Sequence, residues 1–233
     1  MIELNQVVQF LDQFFAVHRF NDSERGGIYR PSTRAIARLG LALEPWPHLP
    51  AWVQAERLDA LFLHRPWQLP LEQLAPDIGV ISYHLAFDEG LTLGFNPRLA
   101  EVLGMENLSV LGEKEGRAIG MLGEISPQSF ASYCCCVAEI FGGQDAVQAG
   151  VRDEVHRVAV VGAMTDKLVR EAAIRGADIY ITGQLRQPAR KALLETRIGL
   201  IVVGHRCSEE WGLRALAQVI AEHWSQLAVI LPS

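Results

Sequence analysis

From about residue 155 the chain alternates between two kinds of segment, and nothing else in the sequence constrains its fold as tightly. Short apolar runs, "RVAVVGAM", "DIYITG", "GLIVVGH" and "LAVIL", are separated by stretches with helical periodicity, "TDKLVREAAIRG", "QPARKALLETR" and "SEEWGLRALAQVIAEHW". Parallel neighbours in a sheet need a long crossover between them, usually a helix. Strands alternating with amphipathic helices therefore predict an α/β fold with substantial parallel pairing.

The first half carries the same signals more loosely. Apolar residues Leu4, Val7, Val8, Leu11, Phe14 and Phe15 recur at helical spacing and predict an amphipathic helix over 4–17. "RGGIYRPST" reads as a turn-rich loop, "AIARLGLALEP" as a strand region, "LPAWVQAERL" as a helix, and "DALFLH" and "IGVISYHLAFD" as strands. Asn96 suits an N-cap and Pro97 a first helical position, so a helix follows in "NPRLAEVLGM". Glycines punctuate "LGEKEGRAIGMLGEIS", which reads as a β excursion, and Ser126-Pro127 opens a cysteine-bearing helix.

Two segments resemble one another. "DALFLH", "IGVISYH", an acidic residue and the helix "NPRLAEVLG" are echoed by "DIYITG", "IGLIVVGH", an acidic residue and "GLRALAQVI". Asp59 and Ile78 are 19 positions apart; Asp178 and Ile198 are 20 apart. All βαβ units share some of this pattern, but a duplicated half-domain explains it more fully. The expected architecture is two similar α/β halves, 1–124 and 125–233, with mixed, largely parallel sheets in a single compact unit.

Composition narrows the function classes. A chain of 233 residues with 49% hydrophobic content can build a real core. A net charge of −6 argues against a nucleic-acid surface. No apolar run reaches the roughly 18 residues of a membrane helix, and "MIELNQVVQFLDQFF" lacks the basic start of a signal peptide. Cys134, Cys135 and Cys136 are adjacent and, with Cys207, form no CxxC pair. They read as small hydrophobic core residues rather than metal ligands, in a reducing, cytoplasmic setting.

Strand ends carry the chemistry. His64 ends "LFLH", and His84 and His205 each follow an apolar run and precede a carboxylate by four residues, Asp88 and Glu209. Ligands of α/β sheets gather at the carboxyl ends of strands. Imidazole with carboxylate suits a divalent transition metal such as zinc, iron, manganese or nickel. Ser208 is expected to cap the last helix and place Glu209 in its first turn, where the dipole favours an ionised carboxylate. Each of these residues alone is an ordinary surface or core residue; only the grouping points to a metal. His18, His48, His156 and His223 have no such company. Arg65 keeps its proton and cannot ligate. "VVGAMTD" lacks GxGxxG, "GEKEGRAIG" lacks GxxxxGK[ST], and no GxSxG occurs.

"YHLAFDEGLTLGFNPRLAEVLGM", "GADIYITGQ", "IVVGHRCSEEWGLRAL" and "LDALFLHRPW" together resemble the motifs of the Nif-three-like dinuclear metal centre family, whose members are often called GTP cyclohydrolase I type 2 homologues. The resemblance covers most of the chain and is weakest at 20–50. It implies two similar α/β halves, a homo-oligomeric ring, usually a hexamer, and one or two divalent transition metal ions. It implies His64, Asp88, His205 and Glu209 as ligands, with His84 as a further ligand or a proton shuttle. The family's second adjacent histidine falls at Arg65, so one metal loses a ligand, and Arg65 becomes a candidate contact for an anionic substrate group. The family's TGE reads TGQ here, with Gln184. The implied activity is metal-dependent hydrolysis of a nucleotide-like or small heterocyclic substrate. The alternative is a non-enzymatic oligomeric metal-binding protein with a regulatory or partner-binding role.

Overall fold

In the computed structural model, which describes residues 2–232, the alternating pattern resolves into two sheets. The chain divides into two compact units, residues 1–87 with 213–233, and residues 88–212. The boundary expected at 124 falls inside the second unit. The last strand explains part of the difference, because it returns to pair with the first unit's sheet.

The first unit contains strands β1 (Gly27–Arg30), β2 (Arg38–Ala42), β3 (Ala60–Leu63) and β4 (Gly79–Ser82), and helices α1 (Leu4–Phe14) and α2 (Leu49–Ala55). Helix α3 (Leu85–Leu91) begins directly after β4 and runs into the second unit. That unit adds α4 (Pro97–Val102), strands β5 (Glu106–Val110), β6 (Glu113–Lys114), β7 (Arg117–Ala118) and β8 (Gly120–Ser129), then α5 (Phe130–Phe141) and β9 (Ala146–Gln148). It continues with β10 (Glu154–Val161), α6 (Asp166–Ile174), β11 (Ile179–Thr182), α7 (Arg190–Thr196) and β12 (Gly199–Val202). Helix α8 (His205–His223) leads back to the first unit, which ends in β13 (Ala228–Ile230).

The first sheet has the order β1-β4-β3-β2-β13, in which β13, β2, β3 and β4 are parallel and β1 joins antiparallel. The second has the order β5-β8-β10-β11-β12-β9, with β10, β11 and β12 parallel and the flanking pairs antiparallel. Both sheets are therefore mixed, with three parallel strands in chain succession at the heart of each. Residues of β3, β11 and β12 are buried throughout, as a parallel strand covered on both faces requires. Each fully buried Leu, Ile or Val there contributes about 1.5–3 kcal/mol of apolar transfer.

The repeat in the sequence has a hydrogen-bonded counterpart. The carboxylate of Asp59, just before β3, accepts the backbone N–H groups of Ala37 and Arg38, both at 2.9 Å. The carboxylate of Asp178, just before β11, accepts those of His156 and Arg157 at 3.0 and 2.9 Å. Each aspartate also holds an arginine, Arg34 or Arg152. The device ties the start of the second parallel strand to the first in both units.

Several local expectations hold. Asn96 Oδ1 accepts from the Leu99 backbone N–H at 3.2 Å, with Pro97 opening α4. Others need correction. "GIYR" is not loop but an edge strand, whose Ile28 and Tyr29 stay exposed. "LAFD" is not the end of a strand but the start of α3. Ser126-Pro127 lies inside β8, and Ser129 caps α5 by accepting from Ser132 N–H. Of the three adjacent cysteines only Cys134 is core; Cys135 and Cys136 face solvent, because successive helical residues point about 100° apart. Among the described residues no helix is long and apolar enough to cross a membrane.

Candidate metal centre

His64 follows the last residue of β3, and its backbone N–H donates to Ala42 O at 3.2 Å, extending the β2–β3 ladder by one step. Its side chain is fully buried. Nδ1 lies 3.0 Å from the backbone carbonyl of Tyr83. A carbonyl only accepts, so Nδ1 carries a proton, and Nε2 is the ring nitrogen left to meet a metal. The ring is walled by His84 and Phe87, with centroids 4.8 and 4.7 Å away.

Tyr83 is fixed in turn. Its side chain is buried, and its hydroxyl donates to Asp12 Oδ1 at 2.7 Å. Burial raises the phenol pKa far above its ordinary value, and the Asp12 carboxylate raises it further, so the hydroxyl stays protonated. The carbonyl that orients His64 thus belongs to a residue anchored at both ends.

His84 is exposed and stands at the break between β4 and α3. Asp88 is half-buried in the first turn of α3, where the unsatisfied N–H groups of a helix start favour negative charge. Thr92 Oγ1 donates to the Asp88 backbone carbonyl at 2.7 Å. His64, His84 and Asp88 each offer a ligand atom within 4.8 Å of the others. Two imidazoles and one carboxylate form a donor set suited to a divalent transition ion. Sequence reasoning left His84 between ligand and shuttle; the structure groups it with His64 and Asp88.

His205 and Glu209 form a pair on α8. His205 is the first residue of α8, with Nε2 3.0 Å from Glu209 Oε1. The imidazole is 64% exposed and the carboxylate 1%. Helix α8 therefore starts three residues before Ser208, whose hydroxyl donates to the His205 carbonyl at 2.7 Å instead of capping the helix. Glu209 accordingly lies beyond the first turn. Gly204, at φ +90°, makes the left-handed turn from β12 into α8, a conformation glycine adopts without strain.

Arg65 offers no lone pair. Its side chain is 12% exposed, its Nε lies 3.7 Å from Glu44 Oε2, and its guanidinium carbon stands 5.9 Å over the Trp67 ring. Trp67 escaped the sequence reading; its only signal was an indole between prolines in "HRPWQLP". The Tyr83 carbonyl was also missed, and a backbone role leaves no trace in residue type.

The sequence profile of the Duf34/NIF3 (NGG1p interacting factor 3) family matches residues 2–232. A GTP cyclohydrolase 1 type 2 homolog of Pyrococcus abyssi is 24% identical over 249 residues, covering 100% of this chain and 98% of its own. The solved structure of the protein ybgI, of unknown function, has a TM-score of 0.79 at 20% identity and covers 99% of this chain and 98% of its own. TTHA1606 from Thermus thermophilus gives 0.78 at 20% identity, covering 100% and 99%. These structures share the fold, and the family match spans every described residue: the chain belongs to the Duf34/NIF3 (NGG1p interacting factor 3) family.

Proposed function

We propose that the chain is a metal-dependent hydrolase of a nucleotide-like or other small heterocyclic substrate, with His64, His84 and Asp88 holding one divalent transition ion: zinc, iron, manganese or nickel. The observation that carries this is the convergence of two imidazoles and a carboxylate within 4.8 Å. The names of relatives such as the Pyrococcus abyssi GTP cyclohydrolase 1 type 2 homolog support the substrate class. Held by His64, His84 and Asp88, such an ion would supply Lewis-acid activation of water for attack on a carbon or phosphorus centre.

The protein's own groups do the rest. The Tyr83 carbonyl holds His64 in the tautomer that presents Nε2. The buried Glu209 carboxylate lies 3.0 Å from His205 Nε2 on the same helix and limits where that ring can turn. His205 and Glu209 are proposed as ligands of a second ion. Two protein donors make a weaker site than three, and Arg65 adds none.

The test is turnover. Purified protein loaded with each metal is screened against nucleoside triphosphates and phosphoesters, beside Asp88→Asn and Glu209→Gln. Activity that disappears in both variants while they remain folded supports the reading; activity unchanged in Asp88→Asn refutes it. Arg65 in place of a histidine favours one second reading, a non-enzymatic metal-binding homo-oligomer, hexameric by the resemblance. Metal binding without turnover, in an assembly of several copies, would support that reading.

A further inference from the structure

Among the large hydrophobic side chains of the described residues that face solvent, Trp67 is the most exposed aromatic, at 64%. It does not hang on a loose loop. Pro66 and Leu69 on either side are buried, and the Leu69 N–H donates to the Pro66 carbonyl at 3.2 Å. Gln68 adopts φ +59°, which a side-chain-bearing residue rarely does without compensation. The segment is thus a tight, strained turn that lifts one indole into solvent.

Its surroundings are polar. The His84 ring stands perpendicular to the indole, with centroids 5.6 Å apart. The Arg65 guanidinium lies over the indole at 5.9 Å, its planar fork largely buried. A flat apolar surface, a cation and a metal-binding imidazole therefore adjoin one another. An indole offers its face to any planar ring, and a guanidinium pairs with carboxylate or phosphate oxygens.

We propose that Trp67 and Arg65 form a ligand subsite beside His84, with Trp67 stacking a planar heteroaromatic ring and Arg65 holding the anionic group attached to it. The proposal rests on the metal-centre reading for its place and deepens it, assigning the substrate's ring to Trp67 and its anionic group to Arg65. Glu44, at 3.7 Å from Arg65, orients the guanidinium while no ligand is bound.

The experiment measures binding by titration calorimetry, in chelator and again after metal loading, with three probes: guanosine 5'-monophosphate, guanosine and ribose 5-phosphate. Trp67→Ala is expected to weaken the first two by roughly 5- to 150-fold and leave the third unchanged. Trp67→Phe, which keeps an aromatic face, retains most of the affinity. Arg65→Met weakens the two phosphorylated probes and spares guanosine. Trp67 is exposed, so its variants test binding rather than folding, and circular dichroism verifies this. Three results would overturn the proposal: no nucleotide binding by wild type at millimolar concentration, unchanged nucleotide affinity in Trp67→Ala, or an altered assembly mass in Trp67→Ala, which makes the indole an interface residue. Metal content measured on the same samples separates the two readings. A metal-free protein that keeps the Trp67 pattern refutes the metal centre and leaves the subsite standing.

Discussion

Replacing Arg117 by methionine removes the charge that balances the carboxylate beside Asp88. Arg117 in β7 is 3% exposed, and its Nε and Nη2 reach the two oxygens of Glu89 at 2.9 and 3.4 Å. Its Nη1 reaches Glu115 at 3.0 Å. Burial by itself lowers the guanidinium pKa, but the bonds to Glu89 and Glu115 outweigh it and hold the pKa above its ordinary value. Glu89 is 13% exposed, Glu115 52%. Losing one partner of a buried pair leaves an uncompensated charge and costs about 3–5 kcal/mol, whereas an exposed pair contributes about 1 kcal/mol or less. Arg117→Met should therefore destabilise by about 3–5 kcal/mol and Glu115→Gln by under about 1. For a chain of this length that lowers Tm by roughly 6–20 °C in Arg117→Met. Arg117→Met/Glu89→Met, which replaces both charges with apolar volume, should recover most of the loss. Thermal unfolding followed by circular dichroism gives the values for wild type and all three variants. A single-variant loss under about 1 kcal/mol, or a double variant no better than the single, would refute the reasoning.

Three further outcomes follow from the same structure. Asp178→Ala strips the acceptor from two backbone N–H groups and should cost about 3 kcal/mol in urea unfolding, because each hydrogen bond to a charged group contributes about 1.5–3 kcal/mol. Bonds from Arg157, then Asn107, hold the Glu124 carboxyl below its ordinary pKa; its stabilising effect is present above the ordinary carboxylate value and lost as pH falls through the depressed one, so Glu124→Gln should flatten the acid limb of a stability–pH curve. In the native protein Cys135 and Cys136 should react with a thiol reagent within minutes. Cys134, buried and with its thiol pKa pushed up to about 11, should react only on unfolding, as mass spectrometry of labelled peptides would show.

What the sequence disclosed and what it concealed have physical reasons. The parallel strands were legible because they are buried on both faces and so read as unbroken apolar runs. Edge strand β1 was not legible, because "GIYR" has glycine, an exposed face and only one paired neighbour. Helix α3 was read as strand and the start of α8 was misplaced for a shared reason. Both helices begin at or next to a histidine with no Ser, Thr, Asp or Asn cap in the expected place, so the usual start signal was missing. His64 and Asp88 stood out by their place at strand ends. His84's inclusion depended on α3 beginning at Leu85, which sets His84 and Asp88 one turn apart. Arg117–Glu89 and Trp67 depend on contacts across 28 residues of chain and on one strained turn, neither of which leaves a local pattern.

The most direct measurement is metal stoichiometry by elemental analysis after loading and desalting, on wild type beside His64→Ala, His84→Ala, Asp88→Ala and His205→Ala. The account predicts at least one tightly held divalent ion in wild type. Each of the first three variants should lose it, and His205→Ala should lose only an ion beyond the first. Wild-type protein that retains no zinc, iron, manganese or nickel would contradict it. So would His64→Ala and Asp88→Ala retaining as much metal as wild type.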